Sequence, residues 1–393
     1  MDRRQFLRLG GAVAATSFVG SSLWSRALAA PAQGGPGPYG PLLAPDGNGI
    51  MLPAGFTARV VARAQEKVAG TDHTWHLFPD GGATFRTSGG WIYVSNSELP
   101  GSGGVGALRF DLRGNVVDAY PICTGTSLNC AGGRTPWNTW LTCEEFDSGH
   151  VWECDPTGRR AQVKLPALGT FKHEAAAVDR RSGVIYLTED VSDGRFYRFV
   201  PARRRDLTAG RLQAAAVGEN GAVRWLDVPE PNPSLPGGTP TRYQVEESTP
   251  FRGGEGIVYD RGHVYVTTKG DDTIWDYDVQ AERIQIAYAT DLDPARQLSG
   301  VDNVTASRSG DLVVAEDGGN MELVLITPEG VAAPLLRVLD QDGSELAGPA
   351  FDPAERRLYF SSQRGGQGGI TYEVSGPFRR AVRRPRALPR VFP

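Results

Sequence analysis

A short segment of β-forming residues that ends in polar side chains recurs six times along this chain. The segments are 91–98, 139–144, 184–189, 263–269, 311–316 and 357–363. Their last residues are separated by 46, 45, 80, 47 and 47 positions. A repeat of roughly 40–50 residues is typical of the four-stranded blades of a β-propeller. The sequence therefore predicts an all-β fold, a six-bladed β-propeller, over residues 36–378.

The interval of 80 residues is shorter than two blades need. It contains the proline-rich stretch 229–250, so we interpret it as one blade followed by an inserted loop; seven blades are the alternative. The composition agrees with short strands and frequent turns, because 50 Gly and 28 Pro among 393 residues interrupt the chain too often for a helical bundle. Its 35 aromatic residues can fill a sizeable core.

The first 29 residues have the features of a twin-arginine export signal. Arg3 and Arg4 precede a mildly apolar run over 9–23, and 27–29 reads Ala-Leu-Ala, a small-residue cleavage pattern. The apolar run is too short and too rich in Gly and Ser to span a bilayer. We therefore expect the twin-arginine (Tat) translocase to export the chain to the periplasm or the exterior, without a transmembrane anchor.

The formal net charge of the chain is −4, and the predicted signal is itself basic. The remainder is consequently more acidic, which disfavours nucleic acid as the main partner and is compatible with binding of hard cations. Residues 379–393 contain six arginines, and we predict a flexible basic tail there. We expect the protein to be a monomer.

Acidic residues are concentrated where the predicted blades begin and where their second strands end. The first strand of a propeller blade lines the central channel, and the antiparallel second strand returns to the same mouth. Carboxylates that meet there cannot all stay ionised without cations, so this pattern predicts a metal site, with Ca2+ favoured by oxygen ligands. The alternative is that each carboxylate caps a turn at the surface. The candidates are Glu98, Glu144, Glu174, Glu189, Asp190, Glu255 and Glu316.

Four cysteines lie within 32 residues, and none of their spacings is the C-x-x-C of a zinc knuckle. Cys143 stands at the end of a predicted strand beside Glu144, where a thiolate could bridge two transition-metal ions. The alternative is a disulfide between Cys143 and Cys123, Cys130 or Cys154, since an exported protein meets an oxidising compartment.

Seven segments share their order with the motifs of one known family. The segments are 129–133, 135–145, 171–176, 186–190, 255–256, 302–303 and 316–318. Over roughly residues 40–375 the chain resembles the PhoX alkaline phosphatases. The resemblance implies an exported six-bladed propeller that hydrolyses phosphate monoesters with Fe3+ and Ca2+ ions at the channel mouth.

The resemblance also implies roles for particular residues. By position, Cys143 would be the thiolate that bridges an iron pair, and Glu174 and Glu255 would be shared carboxylate ligands. The weaker candidates, for the calcium ions, are Glu98, Glu144, Glu189, Asp190 and Glu316. Metal-assisted hydrolysis of this kind requires no side-chain nucleophile.

Three side chains are candidates for contact with the phosphate group of a substrate. The family tends to place an arginine two residues before the Glu-Gly pair, where this chain has Gly253, with Arg252 one position further back. Arg252 is the candidate that would stabilise charge on the transferring group. Asn129 and Arg364 are further candidate donors, with ordinary loop hydrogen bonding as the alternative for both.

Two other functions fit the same pattern. A calcium-dependent lactonase on a six-bladed propeller also uses acidic and amide side chains at the mouth, but it has no use for a cysteine there. A non-catalytic binding propeller would need no metal. Metal content distinguishes the three hypotheses, which predict iron with calcium, calcium alone, and neither.

Overall fold

The computed structural model describes residues 31–341, 343–366 and 368–380. The predicted export signal at 1–29 and most of the predicted tail, from residue 381 onward, lie outside these ranges. The described part of the chain is built from β-strands and forms no α-helix. No helix within it has the length and hydropathy that crossing a membrane requires.

Twenty-seven strands and five short 3-10 helices occur in the described residues. In chain order the strands are β1 (Gln33–Gly34), β2 (Ile50–Met51), β3 (Thr57–Arg63), β4 (Pro79–Thr87), β5 (Gly90–Ser97), β6 (Gly103–Asp111), β7 (Val116–Thr126), β8 (Asn129–Arg134), β9 (Trp140–Glu144), β10 (Val151–Cys154), β11 (Val163–Lys164), β12 (His173–Val178), β13 (Ile185–Glu189), β14 (Phe196–Arg203), β15 (Asp206–Val217), β16 (Val223–Asp227), β17 (Gly254–Asp260), β18 (His263–Thr268), β19 (Thr273–Asp278), β20 (Arg283–Ala289), β21 (Val301–Ala306), β22 (Leu312–Glu316), β23 (Glu322–Ile326), β24 (Val331–Val338), β25 (Leu346–Phe351), β26 (Arg357–Ser362) and β27 (Ile370–Ser375). The 3-10 helices are Pro166–Leu168, Glu219–Gly221, Thr241–Tyr243, Lys269–Asp271 and Thr290–Leu292.

These strands form six sheets, and each sheet is one blade. In chain order, blade I is β4–β7, blade II is β8–β11, blade III is β12–β16, blade IV is β17–β20, blade V is β21–β24 with β1 and β2, and blade VI is β25–β27 with β3. Because β3 pairs antiparallel with β27, the last strand of the described residues, blade VI combines an early strand with the last three and closes the circle. The prediction of a six-bladed all-β propeller is confirmed. The long interval in the sequence corresponds to the fifth strand of blade III and the connection over 228–253.

The hydrophobic core is divided into six clusters, one between each pair of neighbouring blades. Successive side chains of a strand point to opposite faces of its sheet, so each blade contributes to two clusters. In β5, Trp91 and Tyr93 pack against blade VI, whereas Ile92 and Val94 pack against blade II. Both faces are buried, and the central strands therefore read as continuous apolar runs.

Each innermost strand has an irregularity at its start. Its first residue pairs with the last residue of the second strand, as Asn129 pairs with Glu144 and His173 with Glu189. The register then shifts before regular pairing resumes, and this occurs in all six blades. A β-bulge re-aims the side chain that it contains. The same position of every blade is thereby presented at one mouth of the channel.

Candidate metal centre

Two sets of equivalent positions surround this mouth. The inner ring is the second residue of each innermost strand, and the outer ring is the residue after each second strand. The inner ring comprises Asp80, Cys130, Glu174, Glu255, Asp302 and Ala347. The outer ring comprises Glu98, Glu145, Asp190, Lys269, Asp317 and Gln363. Nine of these twelve positions carry a carboxylate or a thiol, so the pattern favours cation binding.

Three groups of side chains at this mouth bring their ligand atoms within 4.8 Å of one another. One group is fully buried and contains only carboxylates, another includes a thiol, and a third lies beside the second. The groups are Glu174 with Glu255 and Asp302; Glu98 with Cys130 and Glu145; and Asp80 with Glu98 and Glu345. Since Glu98 belongs to two groups, the thiol group and the third group adjoin.

Glu174 gives the clearest indication of a cation site. Both of its carboxylate oxygens are buried and have no hydrogen-bond partner among the described residues. Burial, followed by the charges of Glu255, Glu145 and Asp302, raises its pKa well above the ordinary value. A buried carboxylate without a partner is costly when ionised. Glu174 therefore requires either a proton or a cation, and the neighbouring oxygen ligands fit a metal ion.

The thiol at the mouth belongs to Cys130. Its sulfur lies 3.7 Å from Oδ2 of Asp80 and within 4.8 Å of ligand atoms of Glu98 and Glu145. Burial and then the surrounding carboxylates raise the pKa of the thiol well above its ordinary value. A bound cation would oppose this shift and hold the sulfur as a thiolate.

The structure does not place Cys143 at the mouth, so the prediction that its sulfur lies there is wrong. Its side chain is fully buried in the apolar cluster between blades II and III. The reason is strand geometry, because Cys143 lies within β9 and its side chain points to the face of the sheet that packs against blade III. The disulfide alternative does not occur in this structure either, since all four cysteines are free.

Three predicted ligands, Glu144, Glu189 and Glu316, bind backbone amides of loops instead. Glu144 accepts hydrogen bonds from the amides of Ser127 at 3.1 Å and His150 at 3.2 Å. Glu316 accepts the equivalent two hydrogen bonds, from the amides of Ser299 and Glu322. Glu189 accepts the second of them, from the amide of Arg195, six positions later. These three residues end their strands, so their carboxylates fasten loops, as the surface-cap alternative expects, although all three are buried.

The other predicted ligands do lie at the mouth. Glu174 and Glu255 share the buried carboxylate group, and Glu98 belongs to the other two groups. Asp190 is in the outer ring, with Oδ2 3.8 Å from Nζ of Lys172. Five members of the three groups were not predicted from the sequence. They are Asp80, Cys130, Glu145, Asp302 and Glu345. A signal existed for Cys130, Glu145 and Asp302, because all three belong to the motif segments. Only the strand register shows which residue of each segment reaches the channel.

Basic side chains bridge the carboxylates around the rim. Nζ of Lys269 lies 2.9 Å from Oε1 of Glu255 and 3.1 Å from Oδ2 of Asp317. Nζ of Lys172 lies 2.9 Å from Oε1 of Glu145. Both lysines remain about one-third exposed. Positive groups with access to solvent therefore surround the acidic mouth.

Arg364, a candidate for contact with substrate, also lies at the rim. Its Nη2 is 3.2 Å from Oε2 of Glu98 and 3.2 Å from Oε1 of Glu345. Arg252 is exposed in the connection before β17. The next residue, Gly253, has φ 59°, and a Cβ there would lie 3.3 Å from Oδ1 of Asp190. This turn therefore favours glycine at the position where the family tends to carry arginine.

Asn129 is not available to a substrate in this structure. Its side chain is fully buried. The amide nitrogen donates to Oγ1 of Thr142 at 3.0 Å, and the amide oxygen accepts from Oγ1 of Thr126 at 2.6 Å. Both polar ends are thus occupied within the blades, and the alternative of ordinary hydrogen bonding describes this residue.

Comparisons with known proteins agree with this architecture. The family model "Alkaline phosphatase PhoX" matches residues 102–284. The structure of Pseudomonas fluorescens PhoX in complex with vanadate, a transition state analogue, is similar with a TM-score of 0.66 at 16% identity, covering 88% of this chain and 98% of that chain. The gluconolactonase XC5397 from Xanthomonas campestris is similar with a TM-score of 0.52 at 13% identity, covering 86% and 99%.

At these identities the two solved structures establish the shared fold, and the family model supplies the relationship. None of the curated proteins has significant sequence similarity to this chain. The matched segment includes Cys130, Glu174 and Glu255, three residues of the inner ring. The match to the family model over residues 102–284 supports the assignment of the chain to the PhoX family of alkaline phosphatases.

Proposed function

We propose that this protein is an exported, metal-dependent phosphatase that hydrolyses phosphate monoesters at the mouth formed by the two rings, with Fe3+ and Ca2+ as its metal ions. The observation that carries the metal site is the buried carboxylate of Glu174, whose two oxygens have no hydrogen-bond partner among the described residues although Glu255 and Asp302 lie beside it. The match to the PhoX family model supports phosphate ester chemistry.

The donor atoms suit two kinds of ion. Glu174, Glu255 and Asp302 offer only carboxylate oxygens, which suit Ca2+. Cys130 adds a sulfur to the carboxylates of its neighbours, and a thiolate ligand suits a transition-metal ion such as Fe3+. When bound, such cations would neutralise the phosphate oxygens and act as Lewis acids toward phosphorus.

The basic residues at the rim would orient the substrate. Arg364 lies between two carboxylates and remains about half exposed, so its planar guanidinium can turn to two phosphate oxygens once cations occupy those carboxylates. Lys172 and Lys269 would contribute positive charge from the opposite parts of the rim. Arg252 is exposed near Asp190 and is the fourth candidate.

Export rests on the sequence of residues 1–29. The twin-arginine route carries folded proteins, so the chain would acquire its ions before it reaches the periplasm or the exterior. Replacement of Arg3 and Arg4 by lysine should retain the unprocessed protein inside the cell. A full yield of exported protein from that variant would contradict this route.

The decisive experiment is hydrolysis of p-nitrophenyl phosphate by the exported protein, together with elemental analysis of the same preparation. Iron and calcium with turnover that a chelator abolishes would support the proposal. Calcium alone, with hydrolysis of a lactone and none of the phosphate ester, would support the lactonase alternative. Absence of bound metal and of both activities would indicate a binding propeller.

A further inference from the structure

The channel has a second end, remote from the two rings, where arginines are concentrated. The innermost strands run from the rings to this end, and the hairpins that join them to the second strands surround it. A cavity of about 700 Å³ lies there. Hairpins of blades II to V each bring arginine to its wall. The arginines are Arg134, Arg180, Arg181, Arg261 and Arg308.

Three carboxylates line the same cavity, so positive charge is in excess by two. Asp260 Oδ2 lies 3.6 Å from Nε of Arg261, and Glu355 Oε1 lies 3.5 Å from Nε of Arg308. The third, Asp352, accepts hydrogen bonds from backbone amides of its own hairpin. The carboxylates are therefore already engaged by other groups.

The remaining arginines, Arg134, Arg180 and Arg181, have no ion pair within 4.0 Å among the described residues. Arg134 donates to the amide oxygen of Asn138 at 3.2 Å and lies over the ring of Phe85 at 5.2 Å. Burial and then the charges of Arg180 and Arg86 lower the pKa of Arg134. Neighbouring guanidinium groups without a carboxylate partner repel one another, and a multiply charged anion between them would relieve the repulsion.

The inner strands of neighbouring blades are closely packed between this end and the rings. The inner strands of blades IV and V approach so closely that a Cβ on Gly256 would lie 2.6 Å from the Cα atom of Asn303. One end of the channel is therefore lined by carboxylates and the other by arginines. An anion repelled by the carboxylates of the rings would be attracted at the arginine end.

We infer that the arginine end of the channel is a second binding site, for a small phosphorylated anion held by Arg134, Arg180 and Arg181. Guanidinium groups bind phosphate oxygens in pairs with planar geometry, and a cavity of this size accommodates a small organic phosphate as well as orthophosphate. This site goes beyond the proposed hydrolysis, because none of these arginines belongs to the rings or the rim.

The test uses the metal-loaded, full-length protein and the arginine reagent phenylglyoxal, with modified residues identified by peptide mass mapping. Orthophosphate, compared with chloride at equal ionic strength, should slow modification of Arg134 and Arg180 several-fold. The exposed residues Arg159 and Arg203 lie outside the cavity wall and serve as internal controls. Equal modification rates with both salts, or equal protection of the controls, would overturn the inference.

A matched pair of variants distinguishes the loss of a local binding site from the effect of lower net charge. Arg134→Ala/Arg180→Ala and Arg159→Ala/Arg203→Ala each remove two positive charges, and both should hydrolyse p-nitrophenyl phosphate like the parent. Only the first variant should lose part of the rise in melting temperature that orthophosphate produces. Equal rises in both variants would contradict the site. The parent can also be sedimented with phosphatidylglycerol vesicles. If it binds the vesicles and orthophosphate does not slow its modification by phenylglyoxal, this surface binds lipid headgroups and the free-anion site is overturned.

Discussion

The sulfur of Cys130 lies 3.7 Å from Oδ2 of Asp80, and this contact joins the inner strands of blades I and II at the channel mouth. A thiol in this position faces carboxylates on several sides, which is an unfavourable setting for a thiolate unless cations are present. Cys143, only thirteen residues away, is enclosed by apolar side chains. We therefore predict opposite effects on metal binding when each of the two cysteines is substituted.

We expect Cys130→Ser to lose bound iron and to lower the turnover of p-nitrophenyl phosphate by about 100-fold or more, because a hydroxyl is a much weaker ligand for a transition-metal ion. Cys143→Ala should retain both metal and turnover and lower the free energy of unfolding by about 1–2 kcal/mol through the small cavity that it creates. Elemental analysis and urea unfolding of both variants check this. Loss of iron from Cys143→Ala alone would restore the original assignment.

Glu174→Gln should have opposite effects on activity and on the stability of the metal-free protein. The substitution replaces a buried carboxyl group that must take up a proton beside Glu255 and Asp302 when no metal is bound, so the chelated variant should melt at a higher temperature than the chelated parent. Turnover should fall because a ligand is lost. Calorimetry in the presence of a chelator measures the first effect. A lower melting temperature for the chelated variant would show that this carboxylate stabilises the fold without metal.

The carboxylate of Glu316 should behave differently because it fastens two loop amides. Glu316→Ala leaves both amides without their acceptor and should lower the free energy of unfolding by about 1–3 kcal/mol. Its metal content should match that of the parent. Urea unfolding and elemental analysis make the comparison. A loss of calcium without a loss of stability would place Glu316 among the ligands after all.

Calcium should be the exchangeable ion. Oxygen ligands release Ca2+ more readily than a thiolate releases a transition-metal ion, so a chelator should abolish turnover and lower the melting temperature, and added calcium should restore both. Assays before and after dialysis with chelator, with magnesium as the control ion, test this. Turnover that resists the chelator would contradict a role for calcium.

A pH-dependent contribution to the free energy of unfolding is expected from His263, which lies in blade IV and outside the candidate metal centre. Its Nδ1 lies 2.7 Å from Oδ1 of Asp276. Burial opposes the charged imidazole, but the hydrogen bond and charge of Asp276 outweigh it and raise the pKa of His263 above 6.5. The raised pKa means that this stabilisation is complete below pH 6.5 and is lost as the pH rises through the folded-state pKa.

His263→Gln should therefore lower the free energy of unfolding by about 1 kcal/mol below pH 6.5 and by less at alkaline pH. Urea unfolding of the parent and the variant across this range measures the difference. A difference that grows with pH would show that the imidazole is neutral in the native protein.

The number of blades could be predicted from the sequence because each blade is a local unit. Strand-forming runs such as 91–98 and 184–189 are bounded by turn residues, and their spacing reflects the length of chain that four short strands consume. The acidic character of the mouth could also be predicted, since antiparallel pairing returns the end of each second strand to the beginning of the first.

The identity of the residues that reach the channel was decided by the tertiary structure. Side chains alternate between the faces of a strand, so a difference of one residue separates Glu144, which fastens loops, from Glu145, which lies beside Cys130. The bulge at the start of each inner strand determines which residue of that strand faces the mouth. The tertiary structure also decides which residues form each group. Glu174, Glu255 and Asp302 belong to three blades, and their ligand atoms come within 4.8 Å of one another only when the blades pack around the channel.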